Sequence, residues 1–114
     1  MQRYVEAWES RDVDRMIAVL AEDVTFAMPP FPHWWTGRAT VMEFMVSTGK
    51  PRLRHVFTRA NGQPAVAWYM RRRGVYRPSS IEVLAIRGDR VTEITAFASP
   101  ELFPRFGLPG EMPR

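Results

Sequence analysis

Residues 94–109 of the chain read ITAFASPELFPRFGLP, an extended segment that passes into a short tail punctuated by prolines. The tail carries four large apolar residues: Leu102, Phe103, Phe106 and Leu108. A chain terminus without a structural role is usually polar and frayed. The apolar residues therefore predict that this tail docks on a protein surface.

The length and composition of the chain indicate a single folded domain over residues 1–114. Hydrophobic residues make up 46% of it and charged residues 25%, close to ordinary globular usage. No apolar run approaches the roughly 20 residues that a membrane span requires. The N-terminus lacks a signal-peptide pattern, and cysteine is absent. These features are typical of a cytoplasmic protein without membrane association.

The net charge is +4 and the pI about 10.3, values that invite a nucleic-acid interpretation. The basic residues are almost all arginine, with one cluster at Arg71–Arg73, and acidic residues are interleaved with them along the chain. No nucleic-acid-binding motif is visible. We therefore expect a solvated, arginine-rich surface and no direct nucleic-acid binding by this domain.

Three helices are predicted in the N-terminal half. The apolar residues of the first recur at helical spacing: Tyr4, Val5 and Trp8. Asp12 is a candidate N-cap for the second helix. The apolar stripe of that helix follows the i, i+3, i+4, i+7 pattern: Val13, Met16, Ile17 and Leu20. The third helix is expected from about Thr36 to Thr48, with Gly49 and Pro51 marking its end.

Five strands are predicted, over residues 23–28, 53–60, 65–70, 79–87 and 90–98. Asn61-Gly62 and Gly88-Asp89 are two-residue hairpin signals, because such residues tolerate a positive φ. Residues 71–78 are expected to form a basic connection. This order of helices and strands is typical of an α+β fold with helices on one face of a sheet.

Three segments of the chain together resemble one known family. The tail fits the ending FxxPxLFxRFGLP, and the segments MPPFPHWWTGR at 28–38 and ANGQPA at 60–65 precede it in the expected order and spacing. The chain thus resembles the SnoaL-like domain at the C-terminus of one group of extracytoplasmic-function (ECF) RNA polymerase sigma factors. That resemblance implies an NTF2-like cone, in which about three N-terminal helices pack on the concave face of a curved antiparallel sheet and leave a pocket.

The resemblance also implies a function and partners. Such a regulatory domain is expected to contact the sigma-factor core or RNA polymerase and to modulate transcription initiation, with a small apolar ligand in the pocket as the expected signal. The tail is the expected docking surface, through Phe103, Phe106 and Leu108, with Trp34 and Trp35 next.

The candidate ligand-binding residues are mostly aromatic. They are Phe26, Met28, Trp34, Trp35, Phe44, His55, Phe57, Tyr69 and Phe97. If the cone is open, such side chains line a cavity, and if it is filled they are core. Trp34 and Trp35 follow the prolines near the expected mouth, either as a lid over the core or as a rim that grips a ligand or partner.

No catalytic residue is assigned. Relatives with the cone fold include polyketide cyclases, ketosteroid isomerases and dehydratases, whose reactions need an inward acid or histidine as base and a donor for the developing oxyanion. The candidates are His55, Tyr69, Glu82 and Glu93. His55 lacks an evident acid partner, Tyr69 lies in an apolar strand, and Glu93 is expected at the surface. Glu82 alternates with apolar residues and is expected to face solvent or the opposite surface of the sheet. The SnoaL-type base is a late aspartate, and the related domains often carry aspartate where this chain has Ser99.

Metal and cofactor sites are not expected. His33 and His55 are the only histidines, in no metal-binding spacing, and no glycine-rich phosphate loop is present. Two other interpretations stay open. One is a stand-alone SnoaL-like enzyme or small-molecule-binding protein of the isomerase, cyclase or dehydratase type, and the other is a homodimer formed through the convex face of the sheet.

Overall fold

The computed structural model describes residues 1–112 and has an α+β fold. Its α-helices are α1 (Gln2–Ser10), α2 (Val13–Val19) and α3 (Arg38–Ser47). Its strands are β1 (Leu20–Ala27), β2 (Trp34–Thr36), β3 (Leu53–Ala60), β4 (Gln63–Arg72), β5 (Val75–Arg87) and β6 (Arg90–Phe97). A 3-10 helix follows over Pro100–Phe106.

All six strands form one curved, open sheet in the order β2-β1-β6-β5-β4-β3. Strands β3 to β6 are an antiparallel meander, but β6 lies parallel to β1. The sheet is therefore mixed, and the expectation of a wholly antiparallel sheet is wrong at this one pairing. The difference arises because the chain leaves β1, crosses through α3 to the far edge and returns to β1 strand by strand.

Local sequence signals account for most of the element boundaries. The Asp12 carboxylate accepts a hydrogen bond from the backbone N–H of Arg15 at 3.2 Å, which confirms the predicted N-cap of α2. Helix α3 begins at Arg38 rather than near Thr36, because residues 34–36 pair with β1 as an additional short strand. Trp34 and Trp35, which lie between the predicted first strand and third helix, are therefore part of a strand.

The chain turns tightly at three hairpins of the meander. Asn61-Gly62 and Gly88-Asp89 connect strands as predicted. The predicted connection over 71–78 is wrong, because β4 continues to Arg72 and β5 begins at Val75. Arg73 and Gly74 form this third turn with φ of 52° and 79°. The turn was missed because an arginine at positive φ is not a usual hairpin signal.

Both faces of the sheet are covered. The three helices pack on one face, here called the helix face, over a core that includes Tyr4, Trp8, Val66, Trp68 and Leu84. The C-terminal tail packs on the other, here called the tail face, over Ala65, Ala67, Tyr69 and Ile81. Because successive residues of a strand point to opposite faces, β4 and β5 contribute alternately to the two cores.

The tail does dock on a protein surface, and that surface is the chain's own sheet. Phe103 is 0% exposed and meets the Tyr69 ring edge-on, with ring centroids 5.2 Å apart. The Tyr69 hydroxyl donates to the carbonyl of Pro109 at 2.8 Å. Phe103 is thus internal core, which corrects its assignment as a partner-docking residue, while Phe106 and Leu108 are half-buried beside it.

Candidate functional site

A cavity of about 450 Å³ opens between the helices and the helix face of the sheet. Its walls are mainly apolar and come from α3 and from strands at both ends of the sheet: Phe26, Met28, Phe44, Met45, Leu53, Met70, Ala96 and Ala98. Thr48, Pro51, Arg72 and two serines, Ser79 and Ser80, also line it. The volume and the apolar lining are typical of a small-molecule site.

Glu82 is the acidic residue of this cavity. Its side chain is 6% exposed, and its Oε1 accepts hydrogen bonds from the Tyr4 hydroxyl at 2.5 Å and from Trp68 Nε1 at 2.8 Å. The second oxygen, Oε2, receives neither of these bonds. The expectation that Glu82 faces solvent or the opposite surface is wrong, because its neighbours Ile81 and Val83 occupy the tail face and direct Glu82 toward the helices.

Burial disfavours the ionised form of Glu82. Burial raises the pKa of the Glu82 carboxyl, while hydrogen bonds from Tyr4 and Trp68 and the nearby charge of Arg11 oppose that rise. Burial, with a contribution from Glu82, raises the pKa of Tyr4 well above its ordinary value. Burial also lowers the pKa of the Arg11 guanidinium. The cavity thus ends in a cluster of titratable groups held away from water.

Two donors beside Glu82 lack a partner. Trp8 Nε1 and Arg11 Nε are buried and make no hydrogen bond with any of residues 1–112, and both side chains line the cavity. A buried donor without an acceptor costs on the order of 1–3 kcal/mol. An oxygen of a bound molecule that reached these atoms would remove that cost, so the apolar cavity has one polar end suited to an acceptor.

Three of the sequence-predicted pocket residues line the cavity: Phe26, Met28 and Phe44. Trp35 lies behind them, stacked on Phe44 with centroids 4.3 Å apart and edge-on to Phe26. Trp34 points away from this cluster and is 61% exposed. The two tryptophans therefore have different environments, since Trp35 supports the wall of the cavity and Trp34 is exposed to solvent.

His55 and Phe57 lie on the helix face but outside the cavity. His55 Nδ1 is 2.6 Å from Glu9 Oε2, so the histidine does have an acidic partner, which sequence reasoning missed because that partner lies on α1. Phe57 contacts the His55 ring edge-on and is 45% exposed on the outer strand β3. This pair links the helix layer to the edge of the sheet.

Tyr69 and Phe97 are not cavity residues. Tyr69 is buried under the tail, and Phe97 lines a groove of about 350 Å³ between the tail and the sheet. Their assignment to the pocket is wrong because both occupy odd-numbered positions on strands whose even-numbered residues face the helices. The groups that sequence reasoning missed are Tyr4, Trp8, Arg11 and Trp68, and for the candidate Glu82 it missed the inward orientation. The one available signal was an acid inside the apolar run 81–84.

Residues 1–112 contain no group of three or more histidine, cysteine, aspartate or glutamate side chains arranged to hold a metal ion. None of the helices in this part of the chain is long and apolar enough to cross a membrane.

Comparison with known proteins gives a consistent result. Residues 1–94 match the family model described as the SnoaL-like domain. The chain is 36% identical over 118 aligned positions to the ECF RNA polymerase sigma factor SigG of Mycobacterium tuberculosis strain H37Rv. That alignment covers 98% of this chain and 31% of SigG, so the chain spans about a third of the length of this curated relative.

Solved structures with the same fold come from several bacteria. An NTF2-like protein of unknown function from Burkholderia xenovorans LB400 superposes with a TM-score of 0.69 at 17% identity, covering 98% of this chain and 83% of that chain. A protein with a ketosteroid isomerase-like fold from Catenulispora acidiphila DSM 44928, in complex with trimethylamine, gives 0.62 at 18% identity, covering 95% and 92%. At these identities the likeness concerns the fold, which is NTF2-like as the sequence resemblance implied.

Proposed function

Because the chain belongs to the SnoaL-like domain family, we propose that it is a regulatory domain of an ECF-type sigma factor and that its cavity binds a small apolar ligand with one polar group. The observation that supports the sigma-factor assignment is the 36% identity to SigG over nearly the whole of this chain. In this role the domain contacts the sigma core or RNA polymerase in the cytoplasm and modulates transcription initiation.

The size of the native polypeptide tests this assignment directly. An antibody raised against the domain would capture the protein from its own cells for intact-mass measurement. We expect a polypeptide roughly three times as long as the 114-residue sequence, in line with the 31% coverage of SigG. A native product no longer than the 114 residues would contradict the sigma-factor proposal and leave the stand-alone alternative.

Trp34 is the residue that we propose as the aromatic anchor for the sigma core, because it is large and exposed and follows the exposed Phe31 by three residues. Trp34→Ser is expected to weaken binding of the domain to the remaining sigma polypeptide about tenfold or more, since aromatic anchors contribute about 2 kcal/mol. The measurement is titration of the separated halves by calorimetry.

Val46→Ser is the matched control for that experiment. Val46 is 59% exposed, close to the 61% of Trp34, but it lies on α3 rather than in the proposed contact. Both substitutions should leave the melting temperature almost unchanged, because both side chains are largely solvated. Equal weakening by the two variants, or none by Trp34→Ser, would contradict the proposed anchor.

The ligand proposal rests on the apolar cavity and its two unpartnered donors. Ala98 lines the cavity and is exposed at the end of β6, so Ala98→Trp is expected to fill part of it without disturbing the core. A ligand that loses on the order of 60 Å² of apolar contact with the cavity loses about 1.5 kcal/mol of binding free energy. Its Kd therefore rises about tenfold. Fluorescence titration with the neutral probe N-phenyl-1-naphthylamine would measure this change in Kd.

Ala18→Trp provides the control, because Ala18 is also exposed but lies on α2 away from the cavity. We expect this variant to bind the probe like the unmodified chain. If both variants bind the probe like the unmodified chain, the probe binds outside the cavity and the ligand proposal is contradicted. Failure of the unmodified chain to bind any apolar probe would contradict it as well.

The second candidate function is a stand-alone enzyme of the isomerase, cyclase or dehydratase type. Glu82 favours it, because a buried carboxyl with a raised pKa in a cavity is suited to general acid–base proton transfer. An isomerase, cyclase or dehydratase activity that disappears in Glu82→Gln, while N-phenyl-1-naphthylamine still binds, would support the enzyme over the regulatory domain.

A further inference from the structure

The charges of the chain are strongly segregated. Residues 44–81 contain none of the 12 acidic residues. The same segment holds eight of the 16 lysines and arginines: Lys50, Arg52, Arg54, Arg59, Arg71, Arg72, Arg73 and Arg77. It therefore carries +8 within a chain of net charge +4, and the remaining residues carry 4 − 8 = −4. The sequence-based description of acidic residues interleaved throughout is wrong for this third of the chain.

The fold concentrates six of these charges at one end of the sheet. This basic hairpin end consists of Arg52, Arg54, Arg71, Arg72, Arg73 and Arg77. It forms where β3 begins and where β4 turns into β5. The backbone N–H of Arg71 donates to the carbonyl of Arg52 at 3.0 Å, and Met70 pairs with Arg77 across the hairpin. Arg59 lies at the opposite end of β3, opposite Pro64.

Four of these six arginines form no ion pair with the rest of residues 1–112. Arg77 pairs with Glu111 at 2.7 Å, and the guanidinium of Arg54 lies 4.7 Å from the centre of the Tyr76 ring. Within residues 1–112, no ion pair involves Arg52 or Arg71–Arg73. Two arginines outside this end, Arg3 and Arg87, are paired with Asp89 and Asp23.

We propose that the basic hairpin end binds the phosphate backbone of duplex DNA. Guanidinium groups present a planar fork of donors that fits a phosphate, and every cation in the set is an arginine. Such contacts add sequence-independent affinity and position a protein on the duplex. The site goes beyond the proposed contact with the sigma core, and it replaces the sequence-based expectation of no direct nucleic-acid binding.

The surroundings of the patch favour nucleic acid over an acidic protein surface. The large apolar residues that the described chain exposes are Met1, Val13, Phe31, Trp34, Val46, Phe57 and Ile86. None of them lies among residues 50–54 or 70–77. Protein interfaces are built around an apolar centre with few charges, whereas interfaces with DNA are polar and positively charged. The basic hairpin end is polar and positively charged, like an interface with DNA.

The test is fluorescence anisotropy of the 114-residue chain with a labelled duplex of about 20 base pairs, at several salt concentrations. Binding is expected to weaken with salt at a slope near −0.9 per phosphate contacted, or about −3 for three to four contacts. The triple variant Arg71→Gln, Arg72→Gln, Arg73→Gln is expected to raise Kd about tenfold or more and to reduce that slope by about 2–3.

A second triple variant, Arg3→Gln, Arg15→Gln, Arg87→Gln, removes the same net charge from other surfaces. We expect its Kd to stay within about threefold of the unmodified chain. Equal weakening by the two triples would overturn the proposal, because binding would then follow net charge alone. Competition by poly-glutamate as effective as competition by unlabelled duplex would also overturn it, in favour of an acidic protein surface. Circular dichroism melts establish that both triples are folded.

Discussion

Phe103→Ala is expected to lower the free energy of unfolding by about 3–5 kcal/mol, the usual cost of removing a buried phenylalanine. Phe103 is wholly buried between the 3-10 helix and the tail face of the sheet, where it contacts the Tyr69 ring. Domains of this size have a total stability of only about 5–15 kcal/mol. The substitution should therefore remove a large fraction of the stability of the domain.

Urea denaturation measures this effect, with Arg105→Ala as the control because Arg105 is an exposed residue of the same 3-10 helix. The control is expected to change stability by less than about 0.5 kcal/mol. If Phe103→Ala costs no more than Arg105→Ala, the tail is not docked on the sheet in solution.

The position of Phe103 also changes how transcription experiments are interpreted. Deleting residues 103–109 removes an internal core residue together with the half-buried Phe106 and Leu108. A loss of sigma-dependent transcription after that deletion would follow from unfolding as readily as from a lost partner contact. Exposed Trp34 is therefore the cleaner probe of the proposed docking, because its replacement leaves the core intact.

Glu82→Ala is expected to destabilise the domain by about 2–4 kcal/mol, because it leaves buried donors without an acceptor. The Tyr4 hydroxyl and Trp68 Nε1 both lose their partner, and the Arg11 guanidinium loses a nearby carboxyl group. Glu82→Gln keeps an oxygen at the same place and serves as the matched variant. We expect it to stay within about 1 kcal/mol of the unmodified chain near neutral pH.

The stability of the unmodified chain and that of the Glu82→Gln variant are also expected to depend differently on pH. Burial raises the pKa of Glu82 above the ordinary value of 4.5, so the folded chain holds this proton at pH values where the unfolded chain has released it. Raising the pH through that window therefore favours unfolding. The stabilisation that protonated Glu82 contributes is fully present below about pH 4.5. It is lost as the pH rises through the raised pKa of Glu82.

Denaturation curves for the unmodified chain and for Glu82→Gln across this range provide the measurement. The unmodified chain is expected to lose stability relative to Glu82→Gln as the pH rises from about 4.5 upward. Subtracting the two curves removes the effect of other groups, such as Asp23, whose pKa is lowered by Arg87. A difference that rises with pH would mean that the carboxylate form of Glu82 is favoured by folding.

Much of the fold was predictable because it depends on short stretches of chain. The cap at Asp12 and the hairpins at Asn61-Gly62 and Gly88-Asp89 act within a few residues, and each formed where its pattern predicted. The extra strand at Trp34–Thr36 was not predictable in this way. Its hydrogen-bonding partner is β1, and nothing in its own residues distinguishes it from a loop.

The candidate site was only partly predictable, for a related reason. Phe26, at an even position of β1, lines the cavity, as the apolar pattern of that strand indicates. Glu82 was not, since an acid between two apolar residues ordinarily faces water. The assignment reverses because the tail covers the other face, so that Ile81 and Val83 are sheltered there.

The sequence by itself determined the fold class, the family and the apolar character of the tail, because these follow from periodicity, turn chemistry and motifs that the chain carries in order. Only the tertiary structure decided which face of the sheet each side chain occupies. It placed Phe103 in the core, Glu82 and Arg11 in the cavity and Arg71–Arg73 on one basic end. Those positions depend on contacts between residues far apart in the chain, which no local pattern records.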